Sequence, residues 1–253
     1  MLSNKPTTRS AIVANYWQRN SSGGIPWQLY WKPVCASTEI DLSRWLSEKP
    51  LKGINPRAFI SDRQVYGKGQ RGRLWQSPKG GVWISAALPC NGYTNSVGLL
   101  GLAVAFTLAE RLESKRISVQ IKWPNDLLVS GKKLAGILPS LIYRGHSLKL
   151  ARVGIGMNIV NKVPKDGISL ATILGHSSCC TSDWAGEILL ALDRVMNLFE
   201  QEELFYLEAQ KRLWSKEVID STSGEVWEVE GLDINGGLKL QKDGKKKVWT
   251  RWQ

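Results

Sequence analysis

A glycine-rich basic segment, GKGQRGRLWQSPKGG at residues 67–81, restricts what this chain can fold into. Its proline and its last two glycines prevent a helix of useful length from following the basic residues. The sequences on either side, RAFISDRQV (57–65) and GVWISAALP (81–89), are typical of strands. The segment is therefore predicted to be a loop that joins two strands.

Residues 67–72 of this loop match the pattern G-x-G-x-x-G, which occurs in dinucleotide-binding folds. That fingerprint requires a helix after the glycines and an acidic residue at the end of a second strand about 20 residues on. Neither is present, so the sequence argues against a dinucleotide site. The loop instead offers backbone N–H groups that can surround an anion, with cations at Lys68, Arg71 and Arg73 and an aromatic surface at Trp75.

The remaining patterns mix helices with hairpins rather than repeating a βα unit. Ser37 or Thr38 can cap a helix that ends at Pro50, and apolar residues predict further helices near 95–114 and within 182–213. This order predicts an α+β fold with a mixed, largely antiparallel sheet. The other predicted strands cover 117–123 and 148–160, and a hairpin covers 126–143.

After about residue 217 the sequence changes to short strands separated by turn residues, which is typical of a small β-barrel. We therefore expect a catalytic domain at 1–216 and a small domain at 217–253. The longest apolar stretch, 97–112, is too short to span a bilayer and runs into charged residues. The N-terminus lacks the continuous apolar segment of a secretory signal peptide. We therefore expect a cytoplasmic protein without membrane contact.

The charge and the cysteines restrict the class of protein less sharply. A formal net charge of +12 favours an acidic partner, which could be nucleic acid, an anionic membrane or an acidic protein. Lys245, Lys246 and Lys247 contribute to this charge and are predicted to lie in an exposed turn. The cysteines at positions 35, 90, 179 and 180 lack the spacing of a metal site and are expected to be buried or incidental thiols.

Two further segments carry residues suited to chemistry. In KWPNDLLVSGKKLAGIL (122–138) a proline turn is expected to let Asn125 and Asp126 project. Lys133 lies on the return strand, where a small residue at Gly136 leaves space for a ligand. In VGIGMN (153–158) an apolar strand ends at Asn158, a neutral oxygen donor suited to phosphate-bound Mg²⁺.

These segments together resemble one family closely. The loop is similar to the Gly-Arg-Gly-Arg-x-Gly-Arg-x-Trp-x-Ser-Pro segment of biotin–protein ligases, and 122–138 resembles their Lys-Trp-Pro-Asn-Asp and Lys-Leu-Ala-Gly-Ile-Leu motifs. VGIGMN resembles their Gly-Ile-Gly-x-Asn strand. The resemblance covers about residues 35–160, is only generic over 161–215, and includes the family's SH3-like domain at the C-terminus.

The resemblance implies a fold like that of class II aminoacyl-tRNA synthetases and an enzyme that forms biotinyl-5′-AMP from biotin and Mg²⁺-ATP. The biotinyl group then passes to a lysine of the biotin carboxyl carrier protein of acetyl-CoA carboxylase, an acidic carrier domain. Family members are monomers or homodimers. The implied catalytic residues are Lys68, Asp126 and Lys133. The implied biotin and adenylate contacts are Ser37, Thr38, Glu39, Gln64, Lys68, Gly69, Gln70, Lys133 and Gly136. The implied ATP contacts are Arg71, Arg73, Trp75, Asn125 and Asn158, with Asn158 acting indirectly on the metal.

The sequence also departs from the family. Lys68 and Gln70 stand where the family loop has arginines, and Glu39 replaces an asparagine. The N-terminal part is too short for the DNA-binding winged helix of some members, so we expect no DNA binding. Three alternatives remain open: a lipoate–protein ligase, a basic nucleic-acid-binding protein and a binding protein without activity. Twelve tryptophans, dispersed through strand and helix patterns, favour core positions over a nucleic-acid surface.

Overall fold

The fold consists of two sheets and six helices in the residues described by the computed structural model, which are 8–51, 53–89, 96–200 and 205–250. The helices are α1 (Thr8–Asn20), α2 (Thr38–Glu48), α3 (Val97–Glu113), α4 (Leu170–Leu174), α5 (Thr181–Glu200) and α6 (Phe205–Gln210). The strands are β1 (Gln28–Cys35), β2 (Arg57–Lys68), β3 (Leu74–Ser77), β4 (Val82–Pro89), β5 (Gln120–Lys122), β6 (Asp126–Val129), β7 (Lys132–Arg144), β8 (Ser147–Met157), β9 (Glu217–Ile219), β10 (Val226–Leu232), β11 (Leu238–Lys242) and β12 (Lys245–Trp249).

The large sheet has eight strands in the order β1-β2-β4-β8-β7-β6-β5, with β3 added beside β2. Only the β1–β2 pair among them is parallel. A second, antiparallel sheet has the order β12-β11-β10-β9. The predicted α+β class with a largely antiparallel sheet is thereby confirmed. The C-terminal sheet is consistent with an SH3-like unit, while the division at residue 217 stays a prediction.

Both faces of the central strands are covered. Alternate residues of β4, such as Ile84 and Ala86, lie in the main core with α3 and α5. On the opposite face, Leu42 and Trp45 of α2 pack against Phe59 and a smaller alanine of β4. The dispersed tryptophans belong mostly to these cores, as predicted. Buried tryptophans are Trp17, Trp27, Trp45, Trp83, Trp123, Trp184, Trp227 and Trp249.

Several local predictions need correction. Ser37 occupies the N-cap position of α2, but its side chain makes no capping hydrogen bond. The predicted strand at 117–123 is reduced to β5. The predicted helix at 182–213 is divided into α5 and α6, and residues 201–204 lie outside the described residues. Lys245, Lys246 and Lys247 lie on β12 rather than in a turn, because Asp243 and Gly244 supply the turn with positive φ angles.

The structure describes three of the four cysteines. Cys35 is buried, and Cys179 and Cys180 form no disulfide, while Cys90 lies outside the described residues. Within the described ranges no helix has both the length and the apolar character needed to cross a bilayer.

A buried carboxylate joins three helices on the core side of the sheet. Glu187 of α5 is 2% exposed and accepts hydrogen bonds from Tyr16 of α1 at 2.7 Å and Arg111 of α3 at 2.5 Å. Lys115 approaches the same carboxylate at 3.4 Å. Burial alone raises the pKa of Glu187, but the hydrogen bonds and nearby cations outweigh it and hold the pKa below its usual value. The charged form therefore stabilises the fold above the ordinary glutamate pKa, and this contribution is lost as the pH falls.

We predict that Glu187→Ala lowers the free energy of unfolding by about 3 kcal/mol at neutral pH, because it removes the buried acceptor shared by the partly buried Tyr16 and Arg111. The measurement is the urea unfolding midpoint across a pH series. Glu208→Ala, which removes an exposed pair with Lys211, serves as the control and is expected to cost less than about 1 kcal/mol. Equal losses for the two variants would show that the Glu187 network does not stabilise the fold.

Candidate active site

One cavity of about 640 Å³ opens on the face of the large sheet that also carries α2. Ser85 of β4 lies opposite Gly154 of β8, and Gly156 of β8 lies opposite Gly136 of β7. These small residues share one face of three adjacent strands and leave a trough there. The structure brings all the candidate residues together around this cavity. They are Ser37, Thr38, Glu39, Gln64, Lys68, Gly69, Gln70, Arg71, Arg73, Trp75, Asn125, Asp126, Lys133, Gly136 and Asn158.

The beginning of α2 forms one corner of the cavity. The backbone N–H and the hydroxyl of Thr38 both donate to Oε1 of Gln64, at 2.8 and 3.0 Å. Nε2 of Gln64 donates to the hydroxyl of Ser77 at 2.8 Å, and the Thr38 hydroxyl lies 2.8 Å from that of Ser85. This network fixes the orientation of the Gln64 amide. The Ser37 hydroxyl is buried there without a protein partner in the described structure.

The basic loop covers the mouth of the cavity. It leaves β2 at Lys68, makes one 3-10 turn at Gln70–Gly72 and returns as β3, so no long helix follows the glycines. Arg71 and Gly72 both have positive φ angles, 56° and 73°. The loop cations Lys68, Arg71 and Arg73 are exposed and give the mouth a positive charge. At Gly67 a Cβ atom would lie 2.4 Å from the carbonyl oxygen of Trp75, so the β2–β3 pair requires glycine there.

Trp75 anchors this loop to the sheet. Cβ atoms built on Gly136 and Gly156 would lie 2.8 Å and 2.5 Å from atoms of the Trp75 indole, so the ring rests directly on the two glycines. The Lys133 ammonium lies 4.7 Å from the centre of the same ring. The space that Gly136 was expected to leave for a ligand is thus filled by Trp75 in this conformation.

Lys133 and Asp126 form an ion pair inside the cavity. The ammonium of Lys133 lies 2.6 Å from Oδ2 of Asp126, and both side chains are partly exposed to the cavity. Asp126 begins β6 and Lys133 lies near the start of β7, and a bulge at Leu127 and Leu128 shifts the register between them. The hairpin predicted from the sequence therefore brings the carboxylate of Asp126 and the ammonium of Lys133 into contact.

Asn125 does not project from the proline turn as expected. It is 7% exposed, and its side-chain amide donates to the backbone carbonyl of Ile137. The Ile137 N–H in turn donates to the carbonyl of Asn125 at 2.9 Å. Asn125 therefore fastens the turn to β7, which supports the neighbouring Asp126.

Asn158 is also held by protein atoms. Its Oδ1 accepts a hydrogen bond from Asn161 at 2.9 Å, and its Nδ2 donates to the carbonyl of Lys133 at 3.3 Å. Among the described residues, no three histidine, cysteine or acidic side chains form a group that could hold a metal ion. A cation near Asn158 would therefore need most of its ligands from elsewhere.

The cavity is also lined by residues that the sequence analysis did not assign to the site. Lys122 of β5 reaches it with its ammonium 5.2 Å from the ring of Trp214. Pro164, Asp166 and Gly167 also line it, because the Lys133 N–H donates to the carbonyl of Asp166 at 2.9 Å. Lys122 belongs to a recognised motif and could have been found from it. The segment 164–167 carries no motif, and only its contact with β7 reveals it.

Comparisons with known proteins agree on one family. The model of the biotin/lipoate A/B protein ligase family matches residues 43–158. Biotin–protein ligase 2 of Arabidopsis thaliana is 34% identical over 230 residues, which cover 83% of this chain and 68% of that protein. The biotin–[acetyl-CoA-carboxylase] ligase of Paracoccus denitrificans is 32% identical over 115 residues, 44% of this chain and 48% of that one. The biotin protein ligase of Aquifex aeolicus, solved with biotin and ATP, has a TM-score of 0.71 at 22% identity and covers 88% of this chain and 96% of its own, which supports the fold.

We predict that Gly156→Ala displaces Trp75 from β8, because the added methyl group would overlap the indole. The loop should then lose its anchor, and trypsin should cleave after Arg71 or Arg73 several-fold faster, as measured by mass spectrometry of the fragments. Gly98→Ala is the control, since its Cβ meets no atom closer than 3.7 Å. If Gly156→Ala and Gly98→Ala are cleaved at the same rate, the indole contact does not hold the loop.

Proposed function

The chain belongs to the biotin–protein ligase family, and from that premise we propose that it activates biotin with ATP and transfers the biotinyl group to a carrier lysine. The observation that carries the proposal is the convergence of three separate motifs on one cavity. The first turn of α2, the basic loop and the hairpin of β6 and β7 all contribute polar side chains to it. No second function is favoured by an observation of comparable weight.

The first step needs a site that binds a carboxylate beside a triphosphate. Biotin would place its ring at the corner formed by Ser37, Thr38 and Gln64, where a hydroxyl still lacks a partner. Its carboxylate would contact Lys133 and attack the α-phosphate, so that a mixed anhydride forms and pyrophosphate leaves. Cations at the mouth, among them Lys68 and Arg73, would neutralise the phosphates.

Magnesium fits this scheme as part of the substrate Mg²⁺-ATP. Mg²⁺ commonly keeps phosphate oxygens and water as ligands and takes few from the protein. The described residues offer no acidic cluster, but Asn158 presents a neutral amide at the cavity wall. The side chains present therefore suit a metal that arrives with the nucleotide.

The ion pair of Lys133 and Asp126 suggests how the second step is timed. An amine attacks only when it is neutral, so a carboxylate must take its proton. Asp126 is engaged by Lys133 in the free chain. Once the acyl phosphate recruits Lys133, Asp126 becomes available to the incoming carrier lysine, whose nitrogen bonds to the acyl carbon as AMP leaves. Asp126 is thus the proposed general base.

We further propose that the carrier is the biotin carboxyl carrier protein of acetyl-CoA carboxylase. A relative of that specificity matches part of this chain, and exposed cations at Lys68, Arg71 and Arg73 surround the entrance. An acidic carrier domain would be attracted to such a mouth, which raises the rate of encounter.

The direct test is incubation with biotin, Mg²⁺-ATP and a carrier domain, followed by the intact mass of the carrier. We expect the carrier to gain one biotinyl group. Lys133→Ala should slow this gain by about 100-fold or more, because it removes the cation that faces the reacting oxygens. Lys132→Ala, an exposed neighbour outside the cavity, is the control and should modify the carrier at the normal rate. An unmodified carrier with the unaltered protein would refute the proposed function.

The loop residue Gln70 leads to a second prediction. An arginine there would add a charged fork that can bind phosphate oxygens through two hydrogen bonds, which glutamine cannot match. We expect Gln70→Arg to slow the release of purified biotinyl-AMP by about fivefold. The release can be followed by filter separation of labelled adenylate.

Gln18→Arg adds the same charge on an exposed position of α1 and should leave the release rate unchanged. An equal release rate in Gln70→Arg and the unaltered protein would show that position 70 does not retain the adenylate.

A further inference from the structure

An exposed apolar surface lies between the cavity and the C-terminal sheet. Trp214, Ile219 and Val226 are 41%, 66% and 49% exposed, and the three residues line one shallow groove together. We refer to these three residues as the Trp214 surface. Large apolar side chains that are exposed side by side, rather than singly, commonly mark a site of contact with another molecule.

The usual polar pattern of a solvated sheet face is interrupted at this surface. Ile219 of β9 lies directly opposite Val226 of β10, so both side chains face the same side of the sheet. The adjacent pair, Val218 and Trp227, points to the other face and is buried. An antiparallel sheet with one buried face normally carries polar residues on its solvated face. Two exposed aliphatic residues at opposed positions therefore indicate a face that is suited to contact rather than to solvent.

The Trp214 surface is continuous with the cavity through Lys122. The Trp214 N–H donates to the carbonyl of Ile121 at 2.9 Å, which fixes the backbone of Trp214 beside β5. Lys122 lines the cavity, and its ammonium lies 5.2 Å from the centre of the Trp214 ring. Lys122 is also opposite Asp126 across β5 and β6, where paired Cβ atoms are roughly 5 Å apart. A protein that reaches Asp126 with one side chain therefore meets the Trp214 surface with its neighbouring residues.

We propose that the Trp214 surface is the docking site of the carrier domain, which places apolar side chains there while its lysine enters the cavity. The inference rests on the proposed function and identifies the contact that holds its protein substrate. Biotin and ATP fit within the cavity, whereas the carrier is a folded domain that stays outside and needs a surface beside the entrance. An exposed tryptophan flanked by apolar residues is the kind of surface where protein interfaces concentrate their binding energy. The C-terminal sheet thus takes part in selecting the carrier.

The test compares two nucleophiles that take the biotinyl group from the same adenylate, with biotin and Mg²⁺-ATP in excess. Hydroxylamine is small and needs no docking surface. Its nitrogen bonds to the acyl carbon, AMP leaves, a proton passes to water and biotinyl hydroxamate forms. The carrier lysine reacts in the same way, but only after the carrier has docked. The two rates therefore separate docking from the chemistry of the cavity.

We expect Ile219→Glu and Val226→Glu to raise the KM for the carrier about tenfold, because a charged side chain opposes burial of the surface. The rate of hydroxamate formation should stay unchanged in both variants. Val248→Glu is the matched control, since Val248 is 48% exposed but lies on β12, at the other edge of the same sheet. It should leave both reactions unchanged.

Four other results would contradict the inference. An unchanged KM in Ile219→Glu and Val226→Glu, or an equal rise in Val248→Glu, would show that the carrier docks elsewhere. If the carrier and hydroxylamine reactions slow equally, the substitutions act on the adenylate site and the surface does not hold the carrier. A change from dimer to monomer in gel filtration, without a change in KM, would assign the surface to a second copy of this chain. If the unaltered protein forms no hydroxamate, the proposed function itself fails.

Discussion

The contact of the Trp75 indole with Gly136 and Gly156 is the constraint on which the site depends. The two glycines face each other across β7 and β8, and a side chain at either would overlap the ring. The absence of side chains there allows the basic loop to fold back onto the sheet. The same lack of side chains creates the trough. The two glycines therefore both form the cavity and allow the basic loop to lie over it.

Charge in the cavity is arranged as two pairs at different places. Lys133 is neutralised by Asp126 in the hairpin of β6 and β7, and Glu39 is neutralised by Arg152 below the start of α2. The exposed cations of the basic loop lie apart from both pairs, at the mouth of the cavity. An anionic substrate therefore meets exposed positive charge first and must compete with Asp126 for Lys133 afterwards. This order separates capture of the substrate from the positioning of its reacting atoms.

Sequence patterns predicted the parts of the fold that depend on local periodicity or on a motif. The apolar stripe of α3, the hairpin of β6 and β7 and the three motif segments were all found in this way. Other elements, among them α1, β1 and β3, could not be predicted, for identifiable reasons. In α1 only Ser10, Val13 and Trp17 are buried, which is too sparse a stripe to indicate a helix. β1 contains a proline and lies at the edge of the sheet, and β3 is a strand of four residues next to a glycine loop.

Most of the polar residues that line the cavity could be predicted from the motifs, but their contacts could not. Motif spacing identified Asn125 and Trp75, yet Asn125 supports the backbone and Trp75 fills the space beside Lys133. Contacts between distant segments have no signature in a single sequence.

The clearest example of such a contact is Trp123, whose indole N–H donates to the carbonyl of Gly236 at 2.8 Å. Gly236 has a φ angle of 78°, and a Cβ there would approach the backbone of Leu99 at 3.0 Å. The loop between β10 and β11 is thereby fixed between the start of α3 and the proline turn. Since that turn carries Lys122 and Asp126 into the cavity, the C-terminal sheet contributes to the geometry of the site although, in the described structure, none of its residues lines the cavity.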